Sequence, residues 1–210
     1  MTRQLKTLKN LLMLVLLLAA AQVIVGCQTP APRLGHERAV LLNDQAAAEL
    51  PEHPEKALKL LSEAQAAFPG LPAVRNNIGV CHMLEGRYWQ AAIAFRQASA
   101  AAPNDPQPLY NLGRTFELAG NWPQAASYYE RALRLAPEDL EITESLVRVY
   151  VKLDRPPSDI APLARKALDM ELRPEWIAWL SRYAQTDAEE SRTGEPSPEA
   201  APAEVAPGEK

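Results

Sequence analysis

Cysteine and histidine are scarce in this chain of 210 residues, with two of the first and three of the second. Two cysteines cannot build a disulfide scaffold or a Cys₄ site, and Cys27 and Cys81 stand too far apart for the paired cysteines of a Cys₂His₂ zinc site. Histidines scattered at 36, 53 and 82 leave little for any other metal. Glycine is sparse too, at nine residues, and none falls in a G-x-G-x-x-G, a G-x-S-x-G or a phosphate-loop pattern. A cationic excess is also missing. Lys+Arg 22 against Asp+Glu 26 gives a net charge of −4. Phosphates need a basic face to meet them, so nucleic acid is not an expected partner. These absences point away from an enzyme, a cofactor and a small-molecule substrate.

Proline is the abundant exception, at nineteen residues, while 47% apolar and 23% charged residues are ordinary for a soluble core. The charge is unevenly spread. Residues 1–26 hold Arg3, Lys6 and Lys9 and no acid, so the rest of the chain carries −7. From Asp187 to Lys210, seven acids (Asp187, Glu189, Glu190, Glu195, Glu199, Glu204 and Glu209) face Arg192 and Lys210, a net of −5. The middle therefore sits near −2, and the acidity belongs to the tail. From 188 to 210 the composition is Pro, Glu, Ala, Ser and Gly, too poor in apolar bulk to bury a core, and disorder is expected there.

The N-terminus reads as an address. Three cations precede the unbroken apolar run Leu11–Ala21, and a small residue, Gly26, precedes Cys27. That is the order of a secretory signal. The run falls short of the ~20 apolar residues of a spanning helix, although counting on to Val25 leaves an uncleaved anchor as the alternative. Ile24-Val25-Gly26-Cys27 resembles the lipobox of bacterial lipoproteins. The resemblance implies cleavage before Cys27, a diacylglycerol on its thiol and an acyl chain on the new amine. Each buried CH₂ contributes ~0.8 kcal/mol, so two or three chains hold firmly where one holds marginally. Gln28 in place of Asp resembles the outer-membrane sorting pattern, which puts the protein on the periplasmic face of the outer membrane. Residues 27–37 then read as the lipidated cysteine and a Pro-containing tether.

The body repeats with a period of 34 residues. Pro69, Pro103 and Pro137 keep that spacing, as do Gly79 and Gly113, Gly86 and Gly120, Ala57, Ala91 and Ala125, and Ala64, Ala98 and Ala132. Leu61, Phe95 and Tyr129 mark one large residue per period. Fixed periods of this length are the mark of stacked repeats, and the pattern resembles the tetratricopeptide repeat. The units are 38–71, 72–105, 106–139 and 140–173. The second and third match well; the first keeps only its second helix. The fourth puts Val147 where the glycine belongs and has an irregular turn over 154–158. The resemblance implies an all-α solenoid of about four helix hairpins. Gly86 and Gly120 suit the left-handed C-cap that ends a first helix, and Pro103 and Pro137 end the second helices. Residues 174–187 are expected to form a capping helix, with Trp176, Ile177, Trp179, Leu180 and Tyr183 at helical spacing. An aromatic docking face is the other reading of that helix.

In relatives of this build the first helices line a concave groove. Carried onto this chain, that wall holds Leu42 and Ala46, then Asn76, Val80 and Met83, then Gln107, Tyr110, Arg114 and Glu117, then Glu141, Glu144 and Arg148. Asn76, Met83, Gln107, Tyr110, Arg114, Glu117, Glu144 and Arg148 are the expected partner-binding set. The chaperone-binding subclass does not fit. Asn77 and Asn111 stand at its asparagine place, but Leu42, Glu141 and Ser145 replace the cations that grip a terminal carboxylate. Cys81-His82 offers the rival reading, a small periplasmic enzyme, against a buried structural pair. The function expected is a lipid-anchored scaffold of the cell envelope that binds a protein or peptide, in pilus or secretion assembly. Adaptors for cell-wall hydrolases and outer-membrane assembly factors share the build. Cys27→Ser should abolish palmitate labelling and leave the signal uncut or cut elsewhere; unchanged labelling and fractionation would remove the lipoprotein reading.

Overall fold

The computed structural model describes residues 31–185. The signal segment, Cys27 and the acidic tail lie outside the described residues. Among the described residues there are nine α-helices and no strand: α1 (Ala31–Glu49), α2 (Pro54–Ala67), α3 (Pro72–Leu84), α4 (Tyr88–Ala101), α5 (Gln107–Leu118), α6 (Trp122–Leu135), α7 (Leu140–Lys152), α8 (Pro157–Leu168) and α9 (Pro174–Ala184). The first eight pair into four hairpins, and α9 packs on α8. The first helices α1, α3 and α5 also touch in sequence, which makes them one wall of a solenoid.

Local chemistry sets the helix ends. Pro54, Pro72, Pro123, Pro157 and Pro174 sit in first turns, where a missing N–H costs nothing. Asn121 and Asp139 cap α6 and α7, their side-chain oxygens accepting from the Gln124 and Ile142 amides at 3.2 and 3.0 Å. Gly86 and Gly120 end α3 and α5 at φ 72° and 74°, the left-handed turn expected of them. Asp154, 34 residues after Gly120, adopts φ 50° in the same role. A short polar side chain tolerates that region better than most, so the turn survives without its glycine.

The hairpins close on a pairing of small against large. A Cβ at Gly79 would lie 2.6 Å from the Phe95 ring, and one at Gly113 would lie 2.4 Å from the Tyr129 ring. Both rings are fully buried. Each therefore fills space that opens only because the facing helix has no side chain there, and its burial stabilises the fold by about 1.5–3 kcal/mol. The fourth hairpin reverses the pairing. Val147 takes the glycine's place and Ala164, one residue late because the α7–α8 turn is one residue longer, takes the ring's place; both are fully buried. The larger member has changed helices and the smaller one faces it, so Val147 is accommodated without a glycine.

Two expectations meet the structure differently. Residues 31–37, read as tether, form the first turns of α1. They dock on the end of α2: a Cβ at Gly35 would meet the Ala67 carbonyl oxygen at 2.7 Å, and the His36 and Phe68 rings meet edge to face at 5.0 Å. α9 is a cap, since Trp176, Trp179 and Leu180 are buried and only Ile177 of its large apolar residues is exposed. The two tryptophans are therefore not presented on the outer face of this helix.

Gly113→Ala should cost about 1–3 kcal/mol by overpacking against Tyr129 and lower the melting temperature of the whole array, since neighbouring units share their stability. Gly113→Val combined with Tyr129→Ala, which copies Val147 and Ala164, should lose less than the two single variants added together. Thermal unfolding followed by circular dichroism checks both. An unchanged melt for Gly113→Ala would contradict the close contact.

Candidate functional site

The concave wall is built from the first helices, and polar side chains brace each one to the next. From α1 to α5 the braces are amides. Asn77 donates to Asn43 Oδ1 at 3.0 Å, Asn76 donates to Asn77 Oδ1 at 3.4 Å, and Asn111 donates to Asn76 Oδ1 at 3.0 Å. From α5 to α7 they are charged. The Tyr110 hydroxyl donates to Glu141 Oε1 at 2.7 Å. Arg148 donates to Glu117 through Nε (2.7 Å) and Nη2 (3.2 Å), and to Ser145 Oγ at 3.3 Å. Glu117 also accepts from the Tyr129 hydroxyl at 2.6 Å, and burial beside that carboxylate pushes the phenol pKa up.

The wall ends in a buried cluster. Arg173 Nη2 lies 2.6 Å from both oxygens of Glu144 and 2.5 Å from Glu171 Oε2, and the guanidinium sits 4.9 Å from the Trp176 ring centroid. Glu171 accepts in addition from the Leu172 and Arg173 amides at 2.8 and 2.7 Å. One cation thus faces two carboxylates, and the two acids diverge. Burial, then the hydrogen bond shared with Glu171, raises Glu144 from 4.5 to about 7. Hydrogen bonds from Arg173 hold Glu171 far below the usual carboxylate range. Glu141, Glu144, Ser145, Arg148, Arg173 and Trp176 line a cavity of about 240 Å³ at this end of the wall, with Leu140.

The expected partner-binding residues are brought to one wall but differ in what they offer. Gln107 is exposed, and Asn76, Arg114, Glu117 and Arg148 are half-buried. Arg114 lies over the Tyr110 ring at 5.9 Å. Met83, Tyr110 and Glu144 are only 5%, 2% and 4% exposed. Met83 and the Tyr110 ring belong to the core between hairpins, and Glu144 is held by Arg173. Leu42 and Ala46 are core residues as well, packed with Val74 and Ile78 of the next unit, and not an apolar stretch of wall. Arg173 and Glu171 escaped the sequence reading, and Trp176 was expected only as part of the capping helix. They follow the fourth unit's last helix, and the periodicity there gives no hint that the chain turns back onto α7.

Cys81 and His82 are neighbours on α3. The thiol is fully buried, and burial pushes it up to about 11, which disfavours the thiolate. Burial lowers the His82 pKa, and its Nδ1 has no hydrogen-bond partner. Among the described residues no three His, Cys, Asp or Glu side chains come together as metal ligands, and no helix is long and apolar enough to cross a membrane.

Residues 71–138 and 110–184 match two tetratricopeptide-repeat family models. No curated protein sequence matches the chain. Among solved structures, PilF of Pseudomonas aeruginosa is similar, with TM-score 0.63 and 21% identity over 70% of this chain and 68% of that one. The O-GlcNAc transferase of Thermobaculum terrenum gives TM-score 0.61 and 19% identity over 67% of this chain but 28% of that one. The first tetratricopeptide domain of Spaghetti (RPAP3), bound to an HSP90 peptide, gives TM-score 0.53 and 18% identity over 57% of this chain and 95% of that one. At these identities the likeness is one of fold.

The acidic cluster makes stability depend on pH in two opposed ways. Glu144 titrates higher folded than unfolded, so its contribution is complete below about pH 4.5 and is lost as pH rises through about 7. Glu171 titrates lower folded, so its contribution is present above the ordinary glutamate range and is lost on acidification. Glu144→Gln should therefore gain stability relative to the native chain between pH 5 and pH 8, by of order 1 kcal/mol. Glu171→Gln should lose stability at pH 7, with the loss shrinking only below about pH 4.5. Urea unfolding across that range reads both, and parallel pH profiles for the two variants would contradict the assignment.

Proposed function

We infer that this tetratricopeptide-repeat protein is a lipid-anchored scaffold of the cell envelope, one that holds a protein or peptide partner on its concave wall during pilus or secretion assembly. The array is a protein-interaction module; the anchor and the assembly role are the proposal. One observation carries it: α1, α3, α5 and α7 are braced into a continuous wall, along which Asn76, Val80, Gln107 and Arg114 keep exposed surface. A prebuilt wall loses little conformational freedom on binding, which favours affinity. Support for the anchor is Cys27 at the end of a signal-like segment. The fold likeness to PilF is consistent with the assembly role and goes no further than fold. A chaperone tail such as the HSP90 peptide is not the partner proposed, because Leu42, Glu141 and Ser145 supply no cation for its carboxylate.

The test is a cross-linked pull-down from envelopes with the anchored protein, followed by mass spectrometry. Tyr110 is unsuited to substitution, since truncating so buried a ring costs about 3–5 kcal/mol of fold. Gln107→Ala with Arg114→Ala leaves the core intact and should keep the native circular dichroism spectrum. Loss of a true hot spot costs at least ~2 kcal/mol, so recovery of the partner should fall by about 30-fold. Full recovery would move binding off the concave wall.

A further inference from the structure

The two ends of the array are finished differently. α9 closes one, with Trp176, Trp179 and Leu180 buried against the last hairpin. At the other end, no hairpin among the described residues precedes α1. Leu41 feels the difference. The residues at its place in the third and fourth units, Leu109 and Thr143, are 4% and 0% exposed where hairpins stack, but Leu41 is 58% exposed. Leu34 is 62% exposed. It lies seven residues before Leu41, about two helical turns, so the two leucines share one face of α1. Arg38 and Gln45 are exposed one turn after each of them. Arg33 is exposed as well, and in this half of the helix Glu37 is the one acid; Asp44 lies a turn beyond Leu41.

The start of α1 limits what can cover this face. Gln28, Thr29 and Pro30 separate Cys27 from Ala31. Those four residue steps span at most ~14 Å, at ~3.6 Å each. A helix with its side chains is ~10–12 Å thick, so the reach is little more than one helix diameter. The first turns of α1 are not slack that could lengthen it. Gly35 sits against the Ala67 carbonyl, and the His36 ring meets the Phe68 ring at 5.0 Å. With Cys27 acylated, its backbone stands at the headgroup level of the bilayer, and the first turn of α1 is held close to that level. Exposed leucines beside arginines suit this place, since apolar side chains enter the headgroup boundary while guanidinium groups stay with the phosphates.

We propose that α1 lies along the membrane surface that holds Cys27, with Leu34 and Leu41 in the headgroup boundary and Arg33 and Arg38 among the phosphates. The inference rests on the lipid-anchor reading and adds to it the surface on which the array stands. Lipid then covers the end of the array that no described hairpin covers. The concave wall starts at the membrane with α1 and leads away from it through α3, α5 and α7.

The test uses the full-length chain, processed and acylated in its own envelope, then purified and placed in phosphatidylethanolamine–phosphatidylglycerol vesicles that carry a nitroxide lipid. A fluorophore is attached at Gln45→Cys, on the leucine face, or at Ser127→Cys, an exposed position on α6. Cys81 is buried and out of the label's reach. The nitroxide should quench the label at position 45 at least fivefold more than the label at position 127. Adding Leu34→Glu and Leu41→Glu, both at exposed positions that leave the core intact, should shrink that difference below twofold while mass spectrometry still finds acyl chains on Cys27. On an acylated chain, equal quenching at the two positions, or quenching at position 45 that persists in the double variant, would overturn the membrane-facing surface and leave the anchor standing. A label at position 45 shielded from the nitroxide in a chain that cross-links at dimer mass would overturn it in favour of a second copy. A Cys27 without acyl chains would overturn the anchor reading, and this inference with it.

Discussion

The approach of two helices at Gly79 and Gly113 is the constraint from which the rest of the architecture follows. A ring fills the space that each missing side chain leaves, and the ring can be as large as Phe95 or Tyr129 because the glycine's face is bare. That contact fixes the angle of the hairpin, and the hairpin's angle fixes where the next unit stacks. Tyr129 then reaches past the contact and puts its hydroxyl on Glu117, which in turn holds Arg148 of the following unit. One residue thus joins the packing inside a hairpin to the polar bracing between hairpins. Interiors are packed too densely for such a contact to drift by half an ångström without moving its neighbours.

Much of this was legible in the sequence because the period is carried by residues with narrow physical roles. Glycine at a left-handed turn, proline after a helix end and a ring facing a glycine each permit few alternatives. Gly86, Gly120, Pro103 and Pro137 accordingly end helices where the spacing put them. Legibility failed where a role was kept by a different residue. Asp154 does the work of a glycine, and Val147 with Ala164 does the work of glycine with an aromatic. The role belongs to the pair, and a one-residue shift in the α7–α8 turn hides the second member from a strict period. α1 was read short for another reason: Pro32 and Gly35 look like tether, yet the glycine is there because the Ala67 carbonyl comes so close.

The candidate wall was legible in position and not in direction. Periodicity places Met83, Tyr110 and Glu144 on first helices, but it does not say how deep each side chain lies. Met83 and Tyr110 turn into the seam between hairpins, and Glu144 is drawn down to Arg173. Arg173 could not be read at all from the repeat, because it lies in the loop that departs from it. A charged residue on a sequence-derived groove is therefore as apt to be a brace as a contact. The test of which it is lies in its partner.

Here most of the charges have partners, and that shapes how the wall can bind. Glu117, Arg148, Glu144 and Arg173 hold one helix to the next, so a ligand group that takes one of them must first break a bond between units. Losing Glu117 takes the carboxylate from half-buried Arg148, which is destabilising, whereas Arg173 keeps Glu171 when Glu144 is lost. A ligand can engage these residues only by supplying an equivalent charge in the same place. Gln107 and Val80 impose no such condition, since they keep exposed surface without bracing one helix to the next. Specificity on this wall would then arise from two sources: contact with the open residues, and rejection of any partner that cannot replace the brace it disturbs. In a nearest-neighbour array both act on the same interfaces that set stability, so occupancy of the wall and rigidity of the stack are one equilibrium.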